Sequence, residues 1–151
     1  MTERPRQLTL DLGHRPALGA EDFLVGASNG AAVDIIDRWP DWAAPSVLVV
    51  GPPRSGKSHL ANVWRLKTGA GVVAAREVAE ATVASLAAER ALAVEDLDAG
   101  PLDERAFFHL LNTAREHRSF LLITSATPAD ALAVTLPDLR SRLRALPIAR
   151  I

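Results

Sequence analysis

The chain has 151 residues, a formal net charge of −1, and 48% hydrophobic and 23% charged residues. That is one domain with enough apolar content for its own core, which excludes a disordered or fibrous chain. With no cysteine, a disulfide framework, a thiolate metal site and a cysteine nucleophile are excluded. The near-neutral charge argues against nucleic-acid binding by bulk electrostatics. His14, His59, His109 and His117 show no metal-ligand spacing. There is no secretory leader and no apolar run of about 18 residues, so the expected compartment is the cytoplasm, with no membrane span.

Residues 1–20 hold Pro5, Gly13, Pro16 and Gly19 without helical periodicity and read as a tail. Inside it, Gln7-Leu8-Thr9-Leu10-Asp11-Leu12 alternates apolar and polar residues. It reads as extended, either an edge strand of the domain itself or a linear docking motif. After Phe23-Leu24-Val25-Gly26, Ser28 caps a helix with Ala31, Ala32, Ile35, Ile36 and Trp39 at helical spacing, ended by Trp39-Pro40. Val47-Leu48-Val49-Val50 is apolar at every position, as in a strand buried on both faces of a parallel sheet. A helix from about Lys57 through Lys67 follows. Strand 71–75 and a helix over 77–89, with Val78, Val83 and Leu86 inward, come next. Then come strand Ala91-Leu92-Ala93-Val94, helix 103–117 and strand 120–124. A short helix near 137–143 leads to a fifth strand within 146–151. Strands alternating with helices predict a three-layer α/β fold around a parallel sheet.

Gly51-Pro52-Pro53-Arg54-Ser55-Gly56-Lys57-Ser58 fits G-x-x-x-x-G-K-[ST] and sits between a buried strand and a helix, where a phosphate-binding loop must sit. Its glycines let backbone N–H groups wrap a phosphate, its lysine reaches the β/γ-phosphates, and its serine hydroxyl meets Mg²⁺. The helix that follows directs its positive end at the anion. Such a loop needs an acid at the end of another strand, and Glu95-Asp96 follows Val94, with Asp98 nearby. Neighbouring strand residues face opposite ways, so one carboxylate can meet the metal while the other meets the attacking water. Thr124 and Ser125 end the fourth apolar run, either near the γ-phosphate or as a simple turn cap.

Gly26-Ala27-Ser28-Asn29-Gly30 also fits the G-x-S-x-G nucleophile elbow. The preceding apolar step is short and His109 and His117 fall within a helix, so a helix cap is the better reading. Arg140-Ser141-Arg142-Leu143-Arg144 is a solvated helix face, or carries an arginine that reaches a neighbour's nucleotide.

Taken together, these residues resemble the Hda (HdaA) family, DnaA-related AAA+ regulators of bacterial replication initiation, over nearly the whole chain. Phe23-Leu24-Val25-Gly26-Ala27-Ser28-Asn29 resembles the box that lies against adenine. Residues 51–58 look like Walker A, Val94-Glu95-Asp96 sits at Walker B, and Leu122-Ile123-Thr124-Ser125 at sensor 1. Leu136-Pro137-Asp138-Leu139-Arg140-Ser141-Arg142-Leu143 resembles box VII. Gln7, Leu8, Leu10 and Leu12 resemble the motif that docks on the DNA polymerase III sliding clamp (the beta subunit).

The resemblance implies an α/β P-loop NTPase, an AAA+ base subdomain over 21–151 behind the tail, with a five-stranded parallel sheet. ATP or ADP would be held by Gly51, Pro52, Pro53, Arg54, Ser55, Gly56, Lys57, Ser58 and His59, with Phe23, Val25 and Asn29 against the base. Mg²⁺ would sit on Ser58 and Glu95. Glu95, Asp96 and Ser125 would form the hydrolytic site, and Arg142 would be an arginine finger acting in trans on DnaA. The implied function is stimulation of DnaA's ATP hydrolysis from the clamp, which restrains replication initiation, without direct sequence-specific DNA binding. A homo-oligomer is compatible with it.

Three departures stand out: Glu95-Asp96 in place of Asp-Asp or Asp-Glu, Ala126 where DnaA proteins often carry an acid, and no helical lid. They imply slow intrinsic hydrolysis and weaker nucleotide binding than in a lidded relative. The competing expectations are a stand-alone P-loop ATPase and a helicase-loader-type adaptor.

Overall fold

A computed structural model describes residues 30–151; the docking motif at 7–12, Phe23, Val25, Ser28 and Asn29 lie outside the described residues. Helix α1 (Gly30–Arg38) buries Ala32 and Ile36. Strand β1 (Ser46–Val50) is buried at all five positions, as its unbroken apolar run predicts. Helix α2 (Lys57–Thr68) follows and ends on Gly69 in the left-handed conformation. Then come β2 (Gly71–Ala74), α3 (Glu80–Ala87), β3 (Ala91–Glu95), α4 (Glu104–His117), β4 (Phe120–Ser125), α5 (Pro137–Arg144) and β5 (Ile148–Arg150).

The five strands form one all-parallel sheet in the order β2-β3-β4-β1-β5. Alternation along each strand splits the core in two. Val47, Val49, Ala91, Ala93 and Leu122 pack with α1 and α2 on one face. Leu48, Val50, Leu92, Val94, Leu121 and Ile123 pack with α3, α4 and α5 on the other. Right-handed crossovers require this arrangement, because β1 to β2 runs one way along the sheet and every later connection runs back. The chain therefore leaves β1 toward one face and β4 toward the other. Those two strands are neighbours, so a crevice opens at their C-terminal ends, where nucleotides bind in open α/β sheets.

The layer under α1 and α2 is aromatic. Trp42 stacks on Trp64 at 5.5 Å and 16°, and Trp39 and Phe120 meet edge-on at 5.4 Å. This cluster ties the α1–β1 connection to the helix that follows the phosphate loop.

One element differs from its expectation. The predicted helix over 77–89 is a 3-10 turn at Ala75–Glu77 followed by α3 (Glu80–Ala87). Thr82 Oγ1 accepts from the Ala79 amide at 3.2 Å and donates to the Ala79 carbonyl at 2.9 Å. These bonds hold Ala79 extended as the cap and delay the helix. Val78 is buried as expected, from the segment ahead of the helix. Among the described residues no helix is long and apolar enough to cross a membrane.

Candidate functional site

The phosphate loop is rooted in the sheet on both sides. The Gly51 amide donates to the Ser125 carbonyl at 3.1 Å, and the Ile151 amide to the Val50 carbonyl at 2.8 Å. Gly51 is required for space: a Cβ there would lie 2.6 Å from Ser55 Oγ and 3.0 Å from Ile151 Cβ. The next four residues close a turn, with the Ser55 amide donating to the Pro52 carbonyl at 3.2 Å. Pro53 occupies the second position, and Arg54, with φ 64°, the third. That is the pattern of a type II turn, whose third position favours glycine. Gly56 then takes φ 103° and α2 begins.

Lys57 is buried and donates through Nζ to the Gly51 carbonyl at 2.7 Å and the Pro52 carbonyl at 2.9 Å. Its side chain folds back across the loop that a phosphate would enter. A cleft of about 460 Å³ opens here, lined by Pro53, Arg54, Gly56, Lys57, Ser58, His59 and Asp96. Three observations fit these residues to a polyphosphate. Gly51 and Gly56 allow close backbone approach, the first-turn amides of α2 have no acceptor inside the helix, and the buried Ser55 Oγ has no hydrogen-bond partner. The Ser58 hydroxyl and the Asp96 carboxylate in the same cleft are oxygen donors of the kind a hard divalent cation takes.

The two carboxylates take different positions at the end of β3. Glu95 ends β3 opposite Ala74, half-buried, and alternation puts it with Ala91 and Ala93 on the α2 side of the sheet. It does not line the cleft; Asp96 does. The cause is local: Asp96 has φ 62°, which ends the strand's alternation and turns the chain there. Its amide donates to Thr124 Oγ1 at 3.1 Å.

The same alternation separates Thr124 from Ser125. Ser125 follows Leu121 and Ile123 onto the α4 face, is fully buried, and closes a local turn. Its Oγ donates to the Thr127 carbonyl at 2.7 Å and accepts from the Thr127 amide at 3.0 Å. Ser125 thus lies outside the cleft, and Thr124 is the β4 residue that holds the acidic turn.

Below that turn, Asp98 accepts from the Ala126 amide at 3.2 Å and from Thr127 Oγ1 at 2.6 Å. Burial pushes its carboxyl up, but these bonds outweigh it and hold the group below its ordinary value. Asp98 thereby clips the loop after β3 to the loop after β4. Glu104 does the same between α4 and α5, accepting from the Thr135 amide at 3.1 Å and the Leu136 amide at 2.7 Å. Sequence reasoning missed Glu104 and Thr127, because partners 29 to 32 residues apart leave no spacing signal.

The basic helix face is differentiated. Arg140 donates through both Nε and Nη2 to the Val134 carbonyl, at 3.2 and 2.9 Å, so it holds the entry to α5. Arg142 is half-buried, with its guanidinium carbon 5.6 Å from the centre of the Phe108 ring. It lines a separate pocket with Ser46 and Arg115, at the end of β1 opposite the phosphate loop. Arg142 is therefore remote from its own cleft. His109 and His117 both lie in α4, where His109 pairs with Glu80 at 2.9 Å, which leaves the elbow reading without a loop histidine.

No protein-family model and no curated protein matches the sequence. Solved structures match the fold. AMPPCP-bound DnaA from Aquifex aeolicus has a TM-score of 0.72 at 21% identity over 91% of this chain and 50% of that one. DnaI has a TM-score of 0.73 at 16% identity, covering 93% of this chain and 95% of its own. The DnaC helicase loader has 0.63 at 15% identity, over 90% and 97%. The chain spans about half the length of the DnaA chain it matches. The fold, a five-stranded all-parallel sheet between helices, is the fold these DnaA, DnaI and DnaC structures match.

Proposed function

We propose that the chain is a DnaA-related AAA+ regulator. In this reading it binds adenine nucleotide at the 51–58 loop, docks on the DNA polymerase III sliding clamp through Gln7, Leu8, Leu10 and Leu12, and stimulates ATP hydrolysis by DnaA. The observation that supports its nucleotide step is the cleft uniting Lys57, Ser58 and Asp96 beneath a glycine-bounded loop, after β1 of the parallel sheet. The likeness to nucleotide-bound DnaA supports the choice of ligand.

Each residue has a task. The loop amides and Lys57 take the β- and γ-phosphate oxygens, with Lys57 exchanging the Gly51 and Pro52 carbonyls for the anion. Ser58 and Asp96 would hold Mg²⁺, which would supply positive charge against the phosphates. Glu95 approaches from the α2 side, and Thr124 fixes the Asp96 backbone. In this reading the Glu95-Asp96 order, a longer carboxylate before a shorter one, makes intrinsic hydrolysis slow. Arg142, on the far edge of the domain, acts on a partner's nucleotide; an arginine supplied in trans is worth about 10³–10⁵ in rate.

The test of the nucleotide step is direct titration with ATP and ADP. Binding by the wild type and its loss in Lys57→Ala support the reading; no binding by the wild type sinks it. A second reading, a helicase-loader-type adaptor, is favoured by the near-complete coverage of the DnaI and DnaC chains. It predicts binding to the replicative helicase and indifference to the clamp.

A further inference from the structure

Among the described residues three non-glycine positions have positive φ: Arg54, Asp96 and Arg118. Arg118 is the C-cap of α4, where a left-handed residue is routine. The other two line one cleft. In the left-handed region a Cβ crowds the following carbonyl, and the third position of a type II turn favours glycine. Arginine at position 54 therefore carries a backbone cost that glycine would avoid. Nothing inside the domain offsets it: among the described residues the exposed Arg54 guanidinium has no hydrogen-bond or ion-pair partner. Strain held at a binding loop without an internal return is the pattern of a functional residue.

We infer that Arg54 is a second cation for the polyphosphate, added at the rim of the cleft to the buried Lys57. The turn that fixes Arg54 begins at Pro52, whose carbonyl accepts from both the Ser55 amide and Lys57 Nζ. Two consecutive prolines, Pro52 and Pro53, stiffen that turn, so the guanidinium is presented from a fixed base. A planar fork of five donors suits phosphate oxygens, and from the rim Arg54 would meet the outermost phosphate of a nucleoside triphosphate. The consequence is discrimination by phosphate count. The inference rests on the nucleotide-binding reading of this cleft.

The experiment titrates ATP, ADP and AMP into the full chain carrying Arg54→Gly, Arg54→Lys or Lys57→Ala, at two salt concentrations, with a thermal melt of each without nucleotide. Arg54→Gly should weaken ATP about tenfold, ADP less and AMP not at all, and flatten the salt dependence for ATP. Arg54→Lys should retain most of the affinity. The melting temperature of Arg54→Gly should equal or exceed that of the wild type, since glycine fits the turn, which separates lost affinity from lost folding. If Lys57→Ala loses ATP while Arg54→Gly binds it like the wild type, the Arg54 inference is wrong and the nucleotide reading stands. Equal weakening for all three nucleotides overturns the phosphate assignment. No binding by the wild type overturns both.

Discussion

Gly51→Ala adds one methyl group at the root of the phosphate loop, and the structure sets its cost. The new Cβ would stand 2.6 Å from Ser55 Oγ and 3.0 Å from Ile151 Cβ. Ordinary contact begins near 3.4 Å, so Ser55 must retreat by about 0.8 Å and Ile151 by about 0.4 Å. Ser55 Oγ is buried and can move aside only by turning among its neighbours, and the Ile151 backbone is tied to the sheet through its amide bond to Val50. Overpacking of this kind costs about 1–3 kcal/mol. For a domain of this size that lowers the melting temperature by about 3–10 °C. A thermal melt measures it, and ATP titration should show lost binding, because the loop that cradles the phosphate has been pushed open. Gly51→Ala combined with Ser55→Gly removes the shortest contact and should recover part of the stability. A Gly51→Ala protein with the wild-type melting temperature and affinity would refute the steric argument.

The other predictions rest on separate contacts. Glu104→Ala removes the acceptor for the Thr135 and Leu136 amides and should cost about 1–2 kcal/mol in denaturant unfolding, toward the low end because the site is partly exposed. For both Asp98 and Glu104, burial raises the carboxyl but the hydrogen bonds outweigh it, so the folded value lies below the unfolded one. Their stabilisation is therefore full above the unfolded carboxylate pKa and is lost as pH falls through the folded values. Stability measured between about pH 6 and 2 should fall less steeply in Glu104→Gln than in the wild type; an unchanged slope contradicts the assignment. Arg140→Ala loses two bonds to the Val134 carbonyl and should destabilise by about 1 kcal/mol. Arg142→Ala loses a ring contact worth about 0.5–1 kcal/mol and should leave nucleotide affinity unchanged. Replacing Gln7 and Leu10 with alanine should abolish clamp binding in a pull-down; undiminished capture returns residues 7–12 to an ordinary edge segment.

The features legible in the sequence are those written in local spacing. Val47-Leu48-Val49-Val50 reads as a doubly buried strand because every residue meets a helix layer, and β1 is buried throughout. The 51–58 loop is legible because its glycines, Lys57 and Ser58 are contiguous, and the structure sets it between β1 and α2. Strand order and face depend on partners far away in the chain. The turn at Asp96 is set by its bond to Thr124, 28 residues on. Without it, alternation alone sets Glu95 and Asp96 on opposite faces and leaves open which of them lines the cleft. Arg54 is a subtler case: its place in the motif accepts any residue, and only the backbone angle marks it as a glycine position.

Action on a partner's nucleotide is read out by hydrolysis of DnaA-bound ATP on DNA-loaded clamp. The wild type should accelerate it strongly, while Arg142→Ala, with nucleotide binding intact, should not. No acceleration by the wild type, or full acceleration by Arg142→Ala, would contradict the account.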